Sequence, residues 1–106
     1  MGKRALVLLA AGFEEVEAVA PIDLLRRAGV ETVVAAVGDG LAVTGKNGIT
    51  VHADALLSET DGGSFDALVL PGGPAAKSLR ENETVLALVR SFRESDRVDP
   101  AVLVAF

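Results

Sequence analysis

Three acidic residues, Glu14, Glu15 and Glu17, follow the first apolar run of the chain and open a segment with helical periodicity. Acidic side chains in the first turn complement the helix dipole, and we interpret Glu14 and Glu15 in this way. Glu17 lies about one turn further in, where its carboxyl can turn toward the ends of the strands. A carboxyl held there can form a hydrogen bond with a thiolate. Glu17 is therefore a candidate site residue, beside the plainer alternative of a helix residue with no chemical role.

The most specific local motif is the turn Leu70-Pro71-Gly72-Gly73-Pro74. Two consecutive glycines let the backbone turn tightly with its N–H groups pointing outward. Such a group of N–H donors can hold an anion or a developing oxyanion. The same sequence also suits a strand-to-helix turn that binds nothing, and the motif alone leaves both interpretations open.

Other reactive side chains are few. The chain has one histidine, His52, and no cysteine. A single histidine without HxH or HExxH spacing does not predict a metal site, and its place in a predicted hairpin strand favours a surface position. Ser58, Ser64 and Ser78 lack the GxSxG pattern of a nucleophile elbow. We therefore predict no metal and no cofactor, and we find no cysteine nucleophile within these residues.

Unbroken apolar runs indicate the strands that must position the candidate residues. Strands are predicted at residues 3–9, 31–37, 65–70 and 101–106, a hairpin at 41–44 and 49–52, a short helical turn at 53–58, helices at 14–27, 75–79 and 82–94, and a loop at 95–100. Runs without polar alternation are typical of parallel strands covered on both faces. The order of elements predicts an α/β fold with a doubly wound, mostly parallel sheet and helices on both faces.

Two features of this pattern are unusual. Pro21 lies inside the first predicted helix, where it removes one hydrogen bond and is expected to bend the axis. The last predicted strand, AVLVAF, is followed by no helix that would cover it. We expect either that a partner covers this strand or that the natural protein continues.

Length and composition restrict the remaining possibilities. With 106 residues, of which 50% are hydrophobic and 24% charged, the chain is predicted to form a single globular domain. The net charge of −5 argues against a nucleic-acid partner, because phosphate binding needs clustered lysine and arginine. No apolar run is long enough for a membrane span, and we predict a cytoplasmic protein.

Three segments together resemble the ThiJ/PfpI family, in particular the branch of the parkinsonism-associated deglycase. They are KRALVLLAAGFEEVEAVAPIDLLRRAG, NGITVHADALL and FDALVLPGGPAAKSLRENETVLALVRSF, in this order from Lys3 to Phe92. The resemblance implies a flavodoxin-like domain, usually dimeric, of which residues 1–106 would be the amino-terminal part, incomplete at the C-terminus. A homodimer or the remaining half of the domain is the expected partner. Lys46-Asn47 replace an arginine that is common near the family's dimer contacts.

The resemblance also implies a site. The family's nucleophile is a cysteine directly after a strand like AVLVAF, which corresponds either to position 107 or to Phe106, where it would be replaced; we favour position 107. Glu17 matches the acid that hydrogen-bonds this sulfur, and Gly72 and Gly73 match the turn that helps to form the oxyanion pocket.

The implied activity is that of a cysteine-dependent glyoxalase III or protein deglycase acting on methylglyoxal or glycated groups. The alternative is a redox-responsive chaperone or stress protein without enzymatic activity, or a truncated inactive form. Because these 106 residues contain no thiol, we expect no family-type catalysis from them alone.

Overall fold

A parallel sheet with flanking helices organises the chain, as seen in a computed structural model that describes residues 2–93 and 102–105. In chain order the strands are β1 (Arg4–Leu9), β2 (Glu31–Ala36), β3 (Ala42–Thr44), β4 (Thr50–His52), β5 (Ala55–Leu56), β6 (Ala67–Leu70) and β7 (Val102–Ala105), and the helices are α1 (Glu15–Arg27), α2 (Ala75–Glu81) and α3 (Glu83–Arg93).

The main sheet has the strand order β5-β2-β1-β6-β7, and all of its pairs are parallel. Strand β1 lies at its centre, and its residues from Ala5 to Leu9 are completely buried. A strand enclosed on both faces must be apolar at every position, and this explains the unbroken run in the sequence. The β3–β4 hairpin forms a separate antiparallel pair.

The connections place helices on opposite faces of this sheet. The crossover from β1 to β2 runs toward one edge, whereas the crossover from β6 to β7 runs toward the other. Because parallel crossovers are right-handed, α1 must lie on one face and the α2–α3 pair on the other. The doubly wound α/β fold is thus confirmed. Its topological switch point lies between β1 and β6, where ligands bind in folds of this kind.

Helix α1 continues through Pro21 from Glu15 to Arg27 and is followed by Gly29, whose φ is +85°. A proline nitrogen cannot donate, so Pro21 leaves the carbonyl of Glu17, four residues earlier, without its usual partner inside the helix. Pro21 therefore alters the backbone hydrogen bonding of Glu17, the candidate acid. No helix among residues 2–93 is long and apolar enough for a membrane crossing.

One sequence prediction is wrong, and three others lie wholly or partly outside the described residues. The helical turn predicted at 53–58 is instead β5 followed by a 3-10 turn at Leu57–Glu59. Ala55 and Leu56 pair with Ala35 and Ala36, so the sheet edge supplies hydrogen bonds that local sequence does not reveal. The predicted loop at 95–100 lies wholly outside the described residues. So do Glu94 at the end of the predicted helix 82–94 and Ala101 and Phe106 at the two ends of the last predicted strand.

Candidate functional site

Two turns meet at the switch point of the sheet. The first connects β1 to α1 through residues 10–14, and the second connects β6 to α2 through residues 71–74. Val7 of β1 lies beside Val69 of β6, so the two strands end at the same height. The topology therefore brings the acidic cluster and the double glycine together.

Backbone hydrogen bonds join these two turns directly. The amide of Glu14 donates to the carbonyl of Gly72 at 3.0 Å, and the amide of Ala75 donates to the carbonyl of Gly12 at 3.2 Å. Gly73 has a φ of +86°, and a Cβ atom on it would lie 2.9 Å from the Glu14 nitrogen and 3.1 Å from the Gly12 oxygen. Glycine is thus required at position 73 both by its backbone conformation and by the approach of the opposite turn.

The carboxyl of Glu17 reaches across to the double glycine. The amide of Gly72 donates to its Oε1 atom at 2.8 Å, a contact between residues 55 positions apart in sequence. Glu17 is partly buried, whereas Gly72 is buried. The three candidate residues Glu17, Gly72 and Gly73 are therefore neighbours in the structure, although their chemical roles stay predictions.

This contact changes the expected arrangement of the N–H donors. We expected the amides of both glycines to point outward, but the Gly72 amide is occupied by Glu17. Gly73 is exposed, and its amide has no acceptor within residues 2–93 and 102–105. An oxyanion at this turn would therefore find one available N–H donor, that of Gly73.

The hairpin turn after β3 holds the β1–α1 turn from the other side. The amide of Gly12 donates to the carbonyl of Thr44 at 2.9 Å, and the amide of Lys46 donates to the carbonyl of Phe13 at 2.9 Å. The turn before Glu17 is therefore hydrogen-bonded through its backbone both to the β6–α2 turn and to the hairpin. The start of α1, and with it Glu17, is consequently fixed by two other chain segments, the β6–α2 turn and the hairpin.

Glu15 has a structural role that the sequence interpretation missed. Its side chain is buried, with 5% of the residue exposed, and it accepts hydrogen bonds from the Asn47 amide at 2.8 Å, the Asn47 Nδ2 atom at 3.0 Å and the Ile49 amide at 3.2 Å. Glu15 does lie in the first turn of α1, where the dipole interpretation places it, but its burial and its contacts with the hairpin turn were not predicted. Its acceptors are used to hold the hairpin turn against α1.

The electrostatics of Glu15 follow from these contacts. Burial by itself raises the pKa of a carboxyl, but hydrogen bonds from the backbone amides of Glu15, Ile49 and Asn47 and from the Asn47 side chain outweigh it, so that the pKa of Glu15 is lowered. Gly45 is buried against this carboxylate, and a Cβ atom at position 45 would lie 2.5 Å from the Glu15 Cδ atom. Glu15 and Gly45 are 30 residues apart, and nothing in the sequence predicts that they are in contact.

The remaining acid of the cluster, Glu14, forms an ion pair with Lys46. The Lys46 Nζ atom lies 2.8 Å from the Glu14 Oε2 atom, and the hydrogen bond and charge of Glu14 raise the pKa of Lys46. Lys46 is therefore a cation near the mouth of the site and not a neutral amine.

The other reactive side chains lie elsewhere. His52 is exposed on β4, and Ser64 accepts a hydrogen bond from Arg4 at the opposite, amino-terminal end of β1. Within residues 2–93 and 102–105, no three acidic, histidine or cysteine residues form a group that could hold a metal ion.

Strand β7 approaches the same end of the sheet. Leu70, the last residue of β6, lies beside Ala105, the last residue of β7. The three strands β1, β6 and β7 thus all direct their carboxyl ends toward the start of α1, which carries Glu17, and toward the turn with the double glycine.

Comparisons with known proteins identify the family of this chain. Residues 3–104 match the DJ-1/PfpI family. The chain is 39% identical over 94 residues to deglycase TK1284 of Thermococcus kodakarensis, covering 89% of this chain and 56% of that protein. It is 36% identical over 106 residues to protein dj-1beta of Drosophila melanogaster, covering 99% of this chain and 57% of that protein.

A solved structure shows the same fold. The crystal structure of Drosophila melanogaster DJ-1beta superimposes with a TM-score of 0.90 and 35% identity, covering 99% of this chain and 55% of that chain. The chain spans about half the length of the curated relatives it matches. From the match over nearly its whole sequence, this chain belongs to the DJ-1/PfpI family.

Proposed function

We propose that this chain supplies the acid and the oxyanion donor of a cysteine-dependent site of the glyoxalase III or deglycase type, acting on methylglyoxal or glycated groups. The observation that carries the proposal is the 2.8 Å hydrogen bond from the Gly72 amide to Glu17 at the switch point. The names of relatives such as deglycase TK1284 support the activity class.

The sulfur would come from position 107, directly after Phe106. In the parallel register Leu70 lies beside Ala105, so continuing both strands would bring position 107 beside Gly72. Gly72 is the residue whose amide binds Glu17. The strand register therefore supports the alignment in which the nucleophile follows Phe106 over the one in which Phe106 replaces it.

Each residue would have a defined part in the chemistry. The thiolate would attack the aldehyde carbon, forming a carbon–sulfur bond while the carbonyl electron pair moves to oxygen. The available Gly73 amide would donate to that oxyanion. With Oε1 held by Gly72, the Oε2 atom of Glu17 would be left to share a hydrogen bond with the sulfur. Glu17 would thus hold the sulfur in position through a hydrogen bond, whereas Gly73 would stabilise the charge that develops on the oxygen.

The test compares two amide substitutions on the same helix, in the polypeptide that carries this chain with position 107 included. Glu17→Gln keeps an acceptor for the Gly72 amide but replaces the second carboxyl oxygen with an amide nitrogen. Asp23→Asn makes the same chemical change at an exposed position, where Asp23 pairs only with Arg27 among the described residues. We expect Glu17→Gln to reduce methylglyoxal turnover by about 10²- to 10⁴-fold, the usual contribution of a positioned acid, and Asp23→Asn to leave it unchanged.

Two results would contradict the proposal: a parent polypeptide that turns over no methylglyoxal, or a Glu17→Gln variant with unchanged turnover. If the parent instead suppressed aggregation of a denatured client protein, equally well with Glu17→Gln, the non-enzymatic chaperone alternative would be favoured. The 106-residue chain alone should show no steady-state turnover, because it contains no thiol.

A further inference from the structure

The ion pair between Glu14 and Lys46 lies beside the candidate site, and stability does not explain it. The Glu14 Oε2 atom and the Lys46 Nζ atom are 2.8 Å apart, and 21% and 41% of these side chains are exposed. Ion pairs that remain this accessible to water contribute little to the stability of a fold. The pair is therefore expected to act on the site beside which it lies.

The backbone places the Glu14 side chain directly next to Gly73. The amide of Glu14 donates to the carbonyl of Gly72 at 3.0 Å, and a Cβ atom built on Gly73 would lie 3.3 Å from the Glu14 Cβ atom. The Glu14 carboxylate stands one methylene group beyond this Cβ atom. Rotation about the side-chain bonds of Glu14 can therefore bring its carboxylate to the exposed turn at Gly73.

The Gly73 amide would be a good partner for that carboxylate. It has no acceptor within residues 2–93 and 102–105. The Glu14 side chain is mostly buried, and a carboxylate in such a place is costly to leave without a donor. Because charged acceptors form stronger hydrogen bonds than neutral ones, an unpaired Glu14 carboxylate would occupy the Gly73 amide.

Lys46 is fixed where it can hold the Glu14 carboxylate. Its amide donates to the carbonyl of Phe13 at 2.9 Å, which ties the hairpin turn to the residue before Glu14. The following amide, that of Asn47, donates to the Glu15 carboxylate at 2.8 Å. The hydrogen bond and charge of Glu14 raise the pKa of Lys46, so the lysine stays a cation in the pair.

We propose that Lys46 is a positioning residue, whose ion pair holds the Glu14 carboxylate away from the Gly73 amide and thereby keeps that amide free for a ligand oxygen. Loss of the Lys46 charge would release Glu14, and its carboxylate would bind and block the Gly73 amide. The effect on turnover rests on the proposed function, in which this amide stabilises the oxyanion. The contact itself is measurable without turnover.

Nuclear magnetic resonance of the isotope-labelled polypeptide that carries this chain, with position 107 included, tests the contact at Gly73. In the parent the Gly73 amide should exchange rapidly with solvent, as an exposed amide without an acceptor. Lys46→Met and Lys46→Gln should each shift its proton downfield and slow its exchange by about 10- to 100-fold, the range for a hydrogen bond to a charged group. Lys46→Arg keeps the charge and should behave as the parent.

Two further variants identify the acceptor. Adding Glu14→Ala to Lys46→Met should restore fast exchange at Gly73, because the competing carboxylate is gone. Lys77→Met is the matched control: Lys77 is an exposed lysine of α2 that is closer to Gly73 in sequence, but it is not the partner of Glu14, and its removal should change neither reading. Unchanged Gly73 exchange in both Lys46→Met and Lys46→Gln, or slow exchange that persists after Glu14→Ala, would overturn the inference.

Turnover of methylglyoxal separates this inference from the proposed function. In an active parent, Lys46→Met should lower turnover by about 10- to 100-fold, and adding Glu14→Ala should restore it. A parent without turnover that shows the expected changes at Gly73 would refute the proposed function but support the positioning role of Lys46. Full turnover in Lys46→Met with a protected Gly73 amide would likewise support the contact, and would refute the oxyanion role of that amide.

Discussion

Gly73→Ala tests whether the contact between the two site turns is as close as the structure shows. The matched control is Gly48→Ala. Both glycines have a φ of +86°, but a Cβ atom at Gly48 would meet nothing within 4 Å, whereas at Gly73 it would lie 2.9 Å from the Glu14 nitrogen and 3.1 Å from the Gly12 oxygen. The two variants therefore share the conformational cost and differ only in the steric contact.

The expected magnitudes follow from these two contributions. A Cβ atom in the left-handed region costs about 1–2 kcal/mol, and this applies equally to both variants. At Gly73 the opposing atoms belong to the backbone and cannot rotate away. Relieving the contact must separate the turns and weaken the Glu14–Gly72 and Ala75–Gly12 hydrogen bonds, each contributing about 0.5–1.5 kcal/mol. Gly73→Ala should thus be about 1–3 kcal/mol more destabilising than Gly48→Ala.

Urea unfolding of both variants and the parent measures this difference. The midpoint should fall for both variants, further for Gly73→Ala, with an unchanged denaturant slope. Using the difference between the variants removes the effect of each glycine on the unfolded chain, which is the same for both. Equal midpoints for Gly73→Ala and Gly48→Ala would refute the argument that the turns are in contact.

Three further predictions concern residues that hold the framework. Since hydrogen bonds lower the pKa of Glu15 in the folded chain, its stabilising effect is present above the unfolded-state pKa and is lost as the pH falls through the folded-state value. Glu15→Gln should lower the urea midpoint at about pH 7, and by progressively less as the pH falls below the ordinary carboxyl value of 4.5; a loss independent of pH would contradict this. Arg4 lies 4.3 Å from the centre of the Phe65 ring and also donates hydrogen bonds to Glu31 and Ser64; Arg4→Lys should reduce the free energy of unfolding by about 1 kcal/mol, and an unchanged urea midpoint would show that these contacts together contribute nothing. Leu88 is buried in the core; Leu88→Ala should cost about 2–4 kcal/mol by thermal unfolding, and a cost well below 1 kcal/mol would mean that α3 does not pack as described.

The sequence predicted the parallel strands well because their signal is local and strong. Residues 5–9 are apolar at every position, as a strand covered on both faces must be, and the structure places them at the centre of the sheet. The edge strand at Ala55 and Leu56 was predicted as a helical turn, because two residues carry too little periodicity to identify a strand. Only their pairing with β2 defines it.

The candidate site, like the sheet, was predicted only in part from the sequence. Glu17 and the double glycine were recognisable from their positions after two apolar strands and from the family resemblance. The sequence did not reveal that the Gly72 amide binds Glu17 and thereby leaves the Gly73 amide as the available donor. The sequence did separate Glu17 from Glu14 and Glu15 as the candidate acid, but it did not reveal that Glu15 is buried against the hairpin turn.

The sequence by itself determined the α/β class, the order of the strands along the chain and the two turns that carry the candidate residues, because these depend on apolar runs and on glycine and proline at fixed positions. The tertiary structure alone decided which acid faces which amide. Glu15 and Glu17 are two residues apart, so they point to different sides of α1, toward the hairpin turn and toward Gly72. That difference depends on how the helix is rotated against its neighbours, and packing sets this rotation.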